Sequence, residues 1–240
     1  MTAPVHSNKA VVLLSGGLDS VAAMIWAQAR YVELRAISFD YGQPNRDNEL
    51  PFAQEAAQAR GVEWATCHLG DSMKPAKPAG IMAKVVDHDG SKFGGTDRAF
   101  VPGRNLVFVT VAVAHAATWF SAGTFDVILG ACAEDQAGFP DCRPTTLAKL
   151  AMAINAGSGR AIRILAPFAD MTKSQILYAL KPDAEALELV SRSYSCYRSD
   201  GPCGACGACV KRAAGFDQQG LTDHSKPRKM FGGDAVRELR

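Results

Sequence analysis

No stretch of this 240-residue chain is long and apolar enough to cross a bilayer, which takes about 20 residues. The most apolar run, Leu106 to Phe120, is interrupted by Thr110, His115 and Thr118 and is expected to form a buried helix, with His115 a satisfied core histidine. A surplus of one charge is also missing: 26 Lys and Arg oppose 24 Asp and Glu, a formal net charge of +2. So weak a field demands no polyanionic partner such as DNA or RNA, and Lys226, Arg228 and Lys229 read as a solvated tail. No cationic-then-apolar leader stands ahead of the first apolar run, so secretion is not expected. A cytoplasmic setting follows, and there the four cysteines packed between 196 and 209 mean metal rather than disulfides. The loop G-x-x-x-x-G-K-[ST] is absent too, which excludes a Walker-type nucleotide site.

What the chain does have is enough apolar material, 48% of its residues, for one α/β core and a small appendage. Apolar, β-rich runs at 10–14, 34–39, 62–68, 125–131 and 162–165 alternate with helical patterns at 20–30, 50–60, 104–122, 145–156 and 172–180. Such alternation predicts an α/β fold, a parallel five-stranded sheet with helices on both faces. Ligands of such sheets sit beyond the carboxyl ends of the strands. The polar segments 40–43 and 134–143 fall there, together with a Lys/Pro/Gly-rich connection over 70–103 that is expected to form a flap. The expected division is an α/β domain at 1–190 and a cysteine-rich module at 191–240 packed on it.

The most informative segment is Ser15-Gly16-Gly17-Leu18-Asp19-Ser20, placed between the first apolar run and the first helical pattern. Two glycines let the backbone turn tightly, and the N–H groups of the turn and of the following helical turn have no internal partners, so they point at an anion. Ser15 and Ser20 add hydroxyl donors. The pattern S-G-G-x-D-S resembles the PP-loop of the N-type ATP pyrophosphatases, which split ATP between the α and β phosphates. A plain strand-to-helix turn with Asp19 as the cap is the competing reading.

Cys196, Cys203, Cys206 and Cys209 follow the spacing C-x6-C-x2-C-x2-C, with Gly204 and Gly207 between the close members. Four thiolates converging on Zn2+ would form a closed tetrahedral site, which is a structural role. An iron–sulfur cluster is the rival, although the usual ending of a fourth cysteine followed by proline is missing. Cys67 and Cys132 read as small buried hydrophobes, and Cys142 as reactive or merely packed.

Five segments now stand in one order: SGGLDS at 15–20, FDYGQ at 39–43, VPGRN at 101–105, EDxxGFPDCR at 134–143, and the cysteine run at 196–209. Together, over nearly the whole chain, they resemble the 7-cyano-7-deazaguanine synthase family of the queuosine pathway. The resemblance implies an adenine nucleotide alpha hydrolase-like fold and an ATP-dependent carbon–nitrogen ligase. Its substrates would be ATP, free ammonia and 7-carboxy-7-deazaguanine, its product the nitrile formed by way of the amide, and its state a homodimer. Leu14, Ser15, Gly16, Gly17, Leu18, Asp19 and Ser20 would hold ATP. Asp19, Ser20 and Lys173 would carry the chemistry, Asp19 helping Mg2+ and Lys173 neutralising phosphate; the bland reading of Lys173 is a solvated side chain. Tyr41, Gln43, Arg104, Asn105, Glu134, Asp135, Asp141 and Arg143 are the substrate candidates. The carboxylates suit the N–H edge of a guanine-like ring, and Arg104 or Arg143 suits a two-pronged grip on the substrate carboxylate.

The family commonly continues FDYGQ with a basic residue and a histidine, where Pro44, Asn45 and Arg46 stand here. Three other readings therefore remain open at this level: a relative that stops at the amide or joins the acid to another amine, a tRNA-modifying PP-loop enzyme, and a nucleotide sensor that does not split ATP.

Overall fold

The computed structural model describes residues 7–73, 92–93, 96–97, 99–121 and 123–225. Its strands are β1 (Lys9–Leu13), β2 (Glu33–Asp40), β3 (Glu63–His68), β4 (Lys92–Phe93), β5 (Thr96–Asp97), β6 (Asp126–Leu129) and β7 (Arg163–Leu165). Five of them form one parallel sheet in the order β3-β2-β1-β6-β7. The five strands expected from the sequence are these five. The segment 70–103 adds a short antiparallel pair, β4 with β5, that no alternation signalled. Residues 74–91, within the expected flap, lie outside the described residues, as do Lys226, Arg228 and Lys229.

The helices are α1 (Leu18–Gln28), α2 (Arg46–Ala59), α3 (Arg104–Trp119), α4 (Pro144–Ser158), α5 (Lys173–Leu180), α6 (Ala184–Ser191) and α7 (Gly207–Gln219). Pro51 suggests a helix start near residue 50, yet α2 begins a turn earlier. The Asn45 carbonyl accepts from the N–H groups of Asn48 and Glu49 at 3.0 Å, and the proline sits in the interior of the helix. The last two helices were not expected. Asp183 caps α6 by accepting from the Ala186 N–H, and the Cys206 sulfur caps α7 by accepting from the Cys209 N–H.

Side chains of a strand alternate between faces, and β1 shows what this does to the core. Ala10 and Val12 join α1, α2, α5, α6 and α7 in one buried cluster, whereas Val11 and Leu13 join α3 and α4 in another. The central strand is thus covered on both faces, the reason its sequence KAVVL is a continuous apolar run. Because β1 lies between β2 and β6, chain order reverses there, which puts the switch point of the sheet at the carboxyl ends of β1 and β6.

At the opposite, amino end of the sheet the buried Asp126 pairs with a half-buried Arg163. Arg163 donates through Nε to Asp126 Oδ1 at 2.9 Å and through Nη2 to Oδ2, and the Tyr31 hydroxyl donates to Oδ2 at 2.6 Å. Burial and this bond to Asp126 push the Tyr31 phenol well above its ordinary value. Asp126→Ala should lower stability by about 3 kcal/mol, because the other two groups lose a charged partner. Urea denaturation checks this; the site chemistry, at the far end of the strands, should be unaffected.

Candidate active site and metal centre

The turn after β1 takes its shape from two close approaches. Gly16 has φ +86, and a Cβ there would lie 2.4 Å from the Glu49 carbonyl oxygen at the start of α2. A Cβ on Gly130, just past β6, would lie 2.5 Å from the backbone of Asp19 and Ser20. The first turn of α1 is therefore pressed between two neighbouring segments. Within the turn, hydroxyl oxygens accept from the backbone: Ser20 Oγ from the Ser15 N–H at 3.2 Å, Ser15 Oγ from Gly17 at 3.3 Å, and Ser195 Oγ from Leu18 at 3.4 Å. Bonds this long lie beyond the optimum and are readily exchanged for phosphate oxygens. The N-cap of α1 is Gly17, with no side-chain cap, so the reading of Asp19 as a helix cap falls away.

Asp19 turns instead to Lys173. The lysine is the first residue of α5, held by a reciprocal Thr172–Gln175 capping box, and is only 4% exposed. Its Nζ lies 2.5 Å from Asp19 Oδ2 and 3.5 Å from the Cys132 sulfur. Burial pulls the ammonium down, but Asp19 and Asp135 outweigh it and hold Lys173 well above its ordinary value. The lysine stays charged. Burial likewise pushes the Cys132 thiol far up, so it remains a neutral thiol. Asp19, Cys132 and Asp135 place ligand atoms within 4.8 Å of one another, and Asp19 Oδ1 is buried with no hydrogen-bond partner among the described residues. That orphaned oxygen fits a hard cation arriving with a nucleotide.

A second group of side chains gathers at the ends of β2 and α3. Phe39 and Phe108 stack at 4.4 Å, Tyr41 leans on Phe108 at 5.2 Å, and the Arg104 guanidinium lies over both the Tyr41 and Phe108 rings. Arg104 Nη1 donates to the Tyr41 hydroxyl at 3.3 Å, and Arg104 Nε has no partner among the described residues. Beside them, burial lifts the Glu49 carboxyl from its ordinary 4.5 to about 7, against the opposing pull of Arg104. Between those values the folded state holds a proton that the unfolded chain has released, so this group's contribution to stability falls as pH rises. Glu49→Gln should flatten the stability profile between pH 4.5 and about 7, measured by denaturation midpoints.

Both groups line one cavity of about 240 Å³. It brings together Leu14, Ser15, Gly17, Asp19, Ser20, Tyr41, Gln43, Arg104, Asn105, Asp135 and Lys173 of the residues expected from the sequence. Gly16 and Leu18 shape the turn from behind. Glu134, Asp141 and Arg143 stand outside the lining. Glu134 accepts from the Lys173 backbone N–H, Asp141 accepts from that of Asn105, and Arg143 is exposed and donates to the Gln136 carbonyl. Arg104, which faces the cavity, is thus the better placed of the two arginines. Sequence reasoning missed Glu49, Phe108, Tyr194, Ser195, Tyr197 and Lys211, all of which line the cavity, and took Cys132 for a plain core residue. Glu49 follows FDYGQ closely enough to have been weighed with it; Tyr194, Ser195 and Lys211 carried no motif of their own.

The four cysteine sulfurs at 196, 203, 206 and 209 lie within 4.8 Å of one another. Backbone N–H groups of Arg198 and Cys203 donate to the Cys196 sulfur, that of Cys206 to Cys203, and that of Cys209 to Cys206, at 3.3–3.4 Å. Hydrogen bonds from Cys196 and Cys209 hold the Cys206 thiol far below its ordinary value. The donor set fits a tetrahedral soft or borderline metal ion.

This centre is tied to the glycine turn. The Tyr194 N–H donates to the Gly16 carbonyl at 3.0 Å, Asn45 Nδ2 to the Cys196 carbonyl at 2.8 Å, and Asn48 Nδ2 to the Ser199 carbonyl at 2.8 Å. Arg212 of α7, 3% exposed, holds the connecting segment. It donates to Ser193 Oγ, Ser195 Oγ and the carbonyls of Val190 and Ser191, and pairs with both oxygens of Asp223.

A parallel sheet with a hydroxyl-lined glycine turn at its switch point, and a buried lysine–aspartate pair beside it, defines a PP-loop nucleotide-binding α/β protein. More narrowly, the chain belongs to the family described as queuosine biosynthesis protein QueC, whose family model matches residues 9–220. It is similar to the 7-cyano-7-deazaguanine synthase of Laribacter hongkongensis, 36% identical over 223 residues, covering 89% of this chain and 92% of that protein. Against the 7-cyano-7-deazaguanine synthase of Methylococcus capsulatus the identity is 36% over 231 residues, covering 91% and 98%. Against that of Chromobacterium violaceum it is 34% over 220 residues, covering 90% and 92%. No helix among the described residues is long and apolar enough to cross a membrane.

Proposed function

We propose that the protein is an ATP-dependent ligase that converts 7-carboxy-7-deazaguanine and ammonia into 7-cyano-7-deazaguanine. One observation carries the reading: a single cavity unites the anion-binding turn, the charged Lys173–Asp19 pair and Arg104 with its unpartnered Nε. A carboxylate is a poor electrophile. Its oxygen attacks the α phosphorus of ATP, the bond to pyrophosphate breaks, and an acyl adenylate forms. Ammonia then displaces AMP with loss of one proton, giving the amide. A second ATP adenylates the amide oxygen, and loss of AMP and the remaining nitrogen-bound protons leaves the carbon–nitrogen triple bond.

In this scheme Ser15, Gly17, Leu18 and Ser20 hold the departing pyrophosphate, and Lys173 balances the charge that grows as the bond breaks. Asp19 and Asp135 would hold Mg2+, which supplies further neutralisation of phosphate charge when bound. Arg104 grips the substrate carboxylate with Nε and a terminal nitrogen. The cysteines would hold Zn2+ in a closed, structural site, with residues 191–240 acting as a module on the 1–190 domain. Ammonia enters free, and the unpaired state of all the cysteines supports a reducing, cytoplasmic setting. α4 buries only Leu147 and leaves Met152 72% exposed, which supports a homodimer; light scattering tests it.

The functional test is incubation with ATP, Mg2+, ammonium and 7-carboxy-7-deazaguanine, with mass spectrometry of the products. Nitrile, with AMP and pyrophosphate released twice per product, is the expected result. Amide as the end product would place the chain among relatives that stop halfway, and unchanged ATP would overturn the reading. Metal analysis of the purified protein should give one zinc per chain. Stoichiometric iron with a visible absorption band would replace zinc by an iron–sulfur cluster.

A further inference from the structure

The carboxylates expected to read a guanine-like edge are largely engaged elsewhere. Glu134 and Asp141 stand outside the cavity lining and accept from the backbone N–H groups of Lys173 and Asn105, and Asp135 Oδ2 accepts from both the N–H and the thiol of Cys132. Asp19 is paired with Lys173. Glu49 alone among the lining carboxylates is held only by side-chain amides. Gln43 Nε2 reaches Glu49 Oε2 at 3.5 Å but makes its closer bond, 3.0 Å, to the Phe39 carbonyl. Asn45 also bonds to Glu49, while its Nδ2 donates to the Cys196 carbonyl at 2.8 Å.

We propose that Glu49 recognises the N–H edge of a planar, purine-type ring that lies against Tyr41 and Phe108. Three features support the assignment. The rings of Tyr41 and Phe108, with Arg104 over both, form an apolar and cationic shelf of the kind on which flat heterocycles stack. Glu49 is fixed in place, because its carbonyl packs against Gly16 of the anion-binding turn and its N–H bonds to Asn45. Its charge is poised as well: burial raises the carboxyl to about 7, with Arg104 pulling it down and Tyr41 the other titratable neighbour. Two N–H donors from a ring would favour the ionised form and restore the carboxylate.

The inference rests on the proposed function for the identity of the rings, which are the deazaguanine and the adenine of ATP. The deazaguanine is favoured, since its edge presents adjacent N–H donors that match two carboxylate oxygens. Titration calorimetry with 7-carboxy-7-deazaguanine and with ATP, each alone, on wild type and Glu49→Gln separates the sources. The expected result is a 10- to 100-fold weaker affinity for the deazaguanine acid, the weight of about one or two charge-assisted hydrogen bonds, with ATP affinity unchanged. Weakened ATP affinity alone would assign Glu49 to adenine. Unchanged affinity for both ligands, in a variant whose melting temperature matches wild type, overturns the proposal. Glu49→Asp, which keeps the charge, should recover part of the loss; equal loss in both variants would mark a packing defect and overturn it too. Wild type that binds both ligands yet releases no pyrophosphate would sink the ligase reading and leave this one standing.

Discussion

Lys173→Met should lower the rate of pyrophosphate release by about a thousandfold, with ATP affinity falling much less. Removing one preorganised charge from the site of bond cleavage typically costs two to three orders of magnitude. The ammonium is held charged and pointed by its contact with Asp19, so its contribution comes without reorganisation as the phosphate bond breaks. Stability should fall as well, though not because a cavity opens. The methionine fills the volume, but Asp19 is left buried without its counter-charge, which costs about 3 kcal/mol or drives the carboxyl to take up a proton. Burial already raises the Asp19 carboxyl, so protonation is the easier route. The double variant Lys173→Met, Asp19→Asn should therefore regain stability without regaining activity. Denaturant midpoints and a pyrophosphate-coupled assay, run on both variants, separate the two effects. Near-normal turnover in Lys173→Met would remove the lysine from the mechanism.

Removal of a metal held by the four cysteines should weaken ATP binding as well as loosen the carboxyl-terminal module. By cysteine spacing alone, Cys206→Ser would release metal and loosen the carboxyl-terminal module, a defect of folding. The contacts extend it. Gly16, the tightest point of the anion-binding turn, takes a hydrogen bond from Tyr194, and Leu18 donates to Ser195, each within two residues of Cys196. Where metal binding and folding are linked, losing the ion releases these neighbours together. Chelation, or Cys206→Ser, should weaken ATP affinity by at least about tenfold, a loss of about 1.4 kcal/mol, and zinc returned to the chelated protein should restore it. Stripped protein that binds ATP normally would show the module to be a passive attachment.

Legibility followed the range of the interactions. The central strands β1 and β6 were readable because each is an apolar run buried by neighbours on both faces, and SGGLDS was readable because its turn is built from consecutive residues. Cys206 and Cys209 declared the four-cysteine cluster through spacing. The helix that follows them did not declare itself, and Gly215 is a reason. A Cβ there would meet the Lys173 Cβ at 3.2 Å, so this glycine weakens the helical signal of α7 while letting it sit on α5 beside Lys173. Ser195 was invisible for a different reason. It meets Leu18 across 177 residues of chain, and no local pattern records such a meeting. Arg143 shows the converse: both arginines stand in recognisable motifs, yet Arg143 faces solvent while Arg104 faces the cavity.

Arg212 sets a practical limit on shortening the protein. Every N–H of its guanidinium is engaged, and among the described residues Asp223 alone provides the balancing anion, four residues past the last residue of α7. Burial opposes ionisation of Asp223, but Arg212 prevails and keeps it below its ordinary value, so the clasp opens only in acid. A version ending at Gly220 would strand a cation in the interior, directly behind Ser195. Trimming beyond Ser225 spares the clasp; trimming ahead of Asp223 unfastens it.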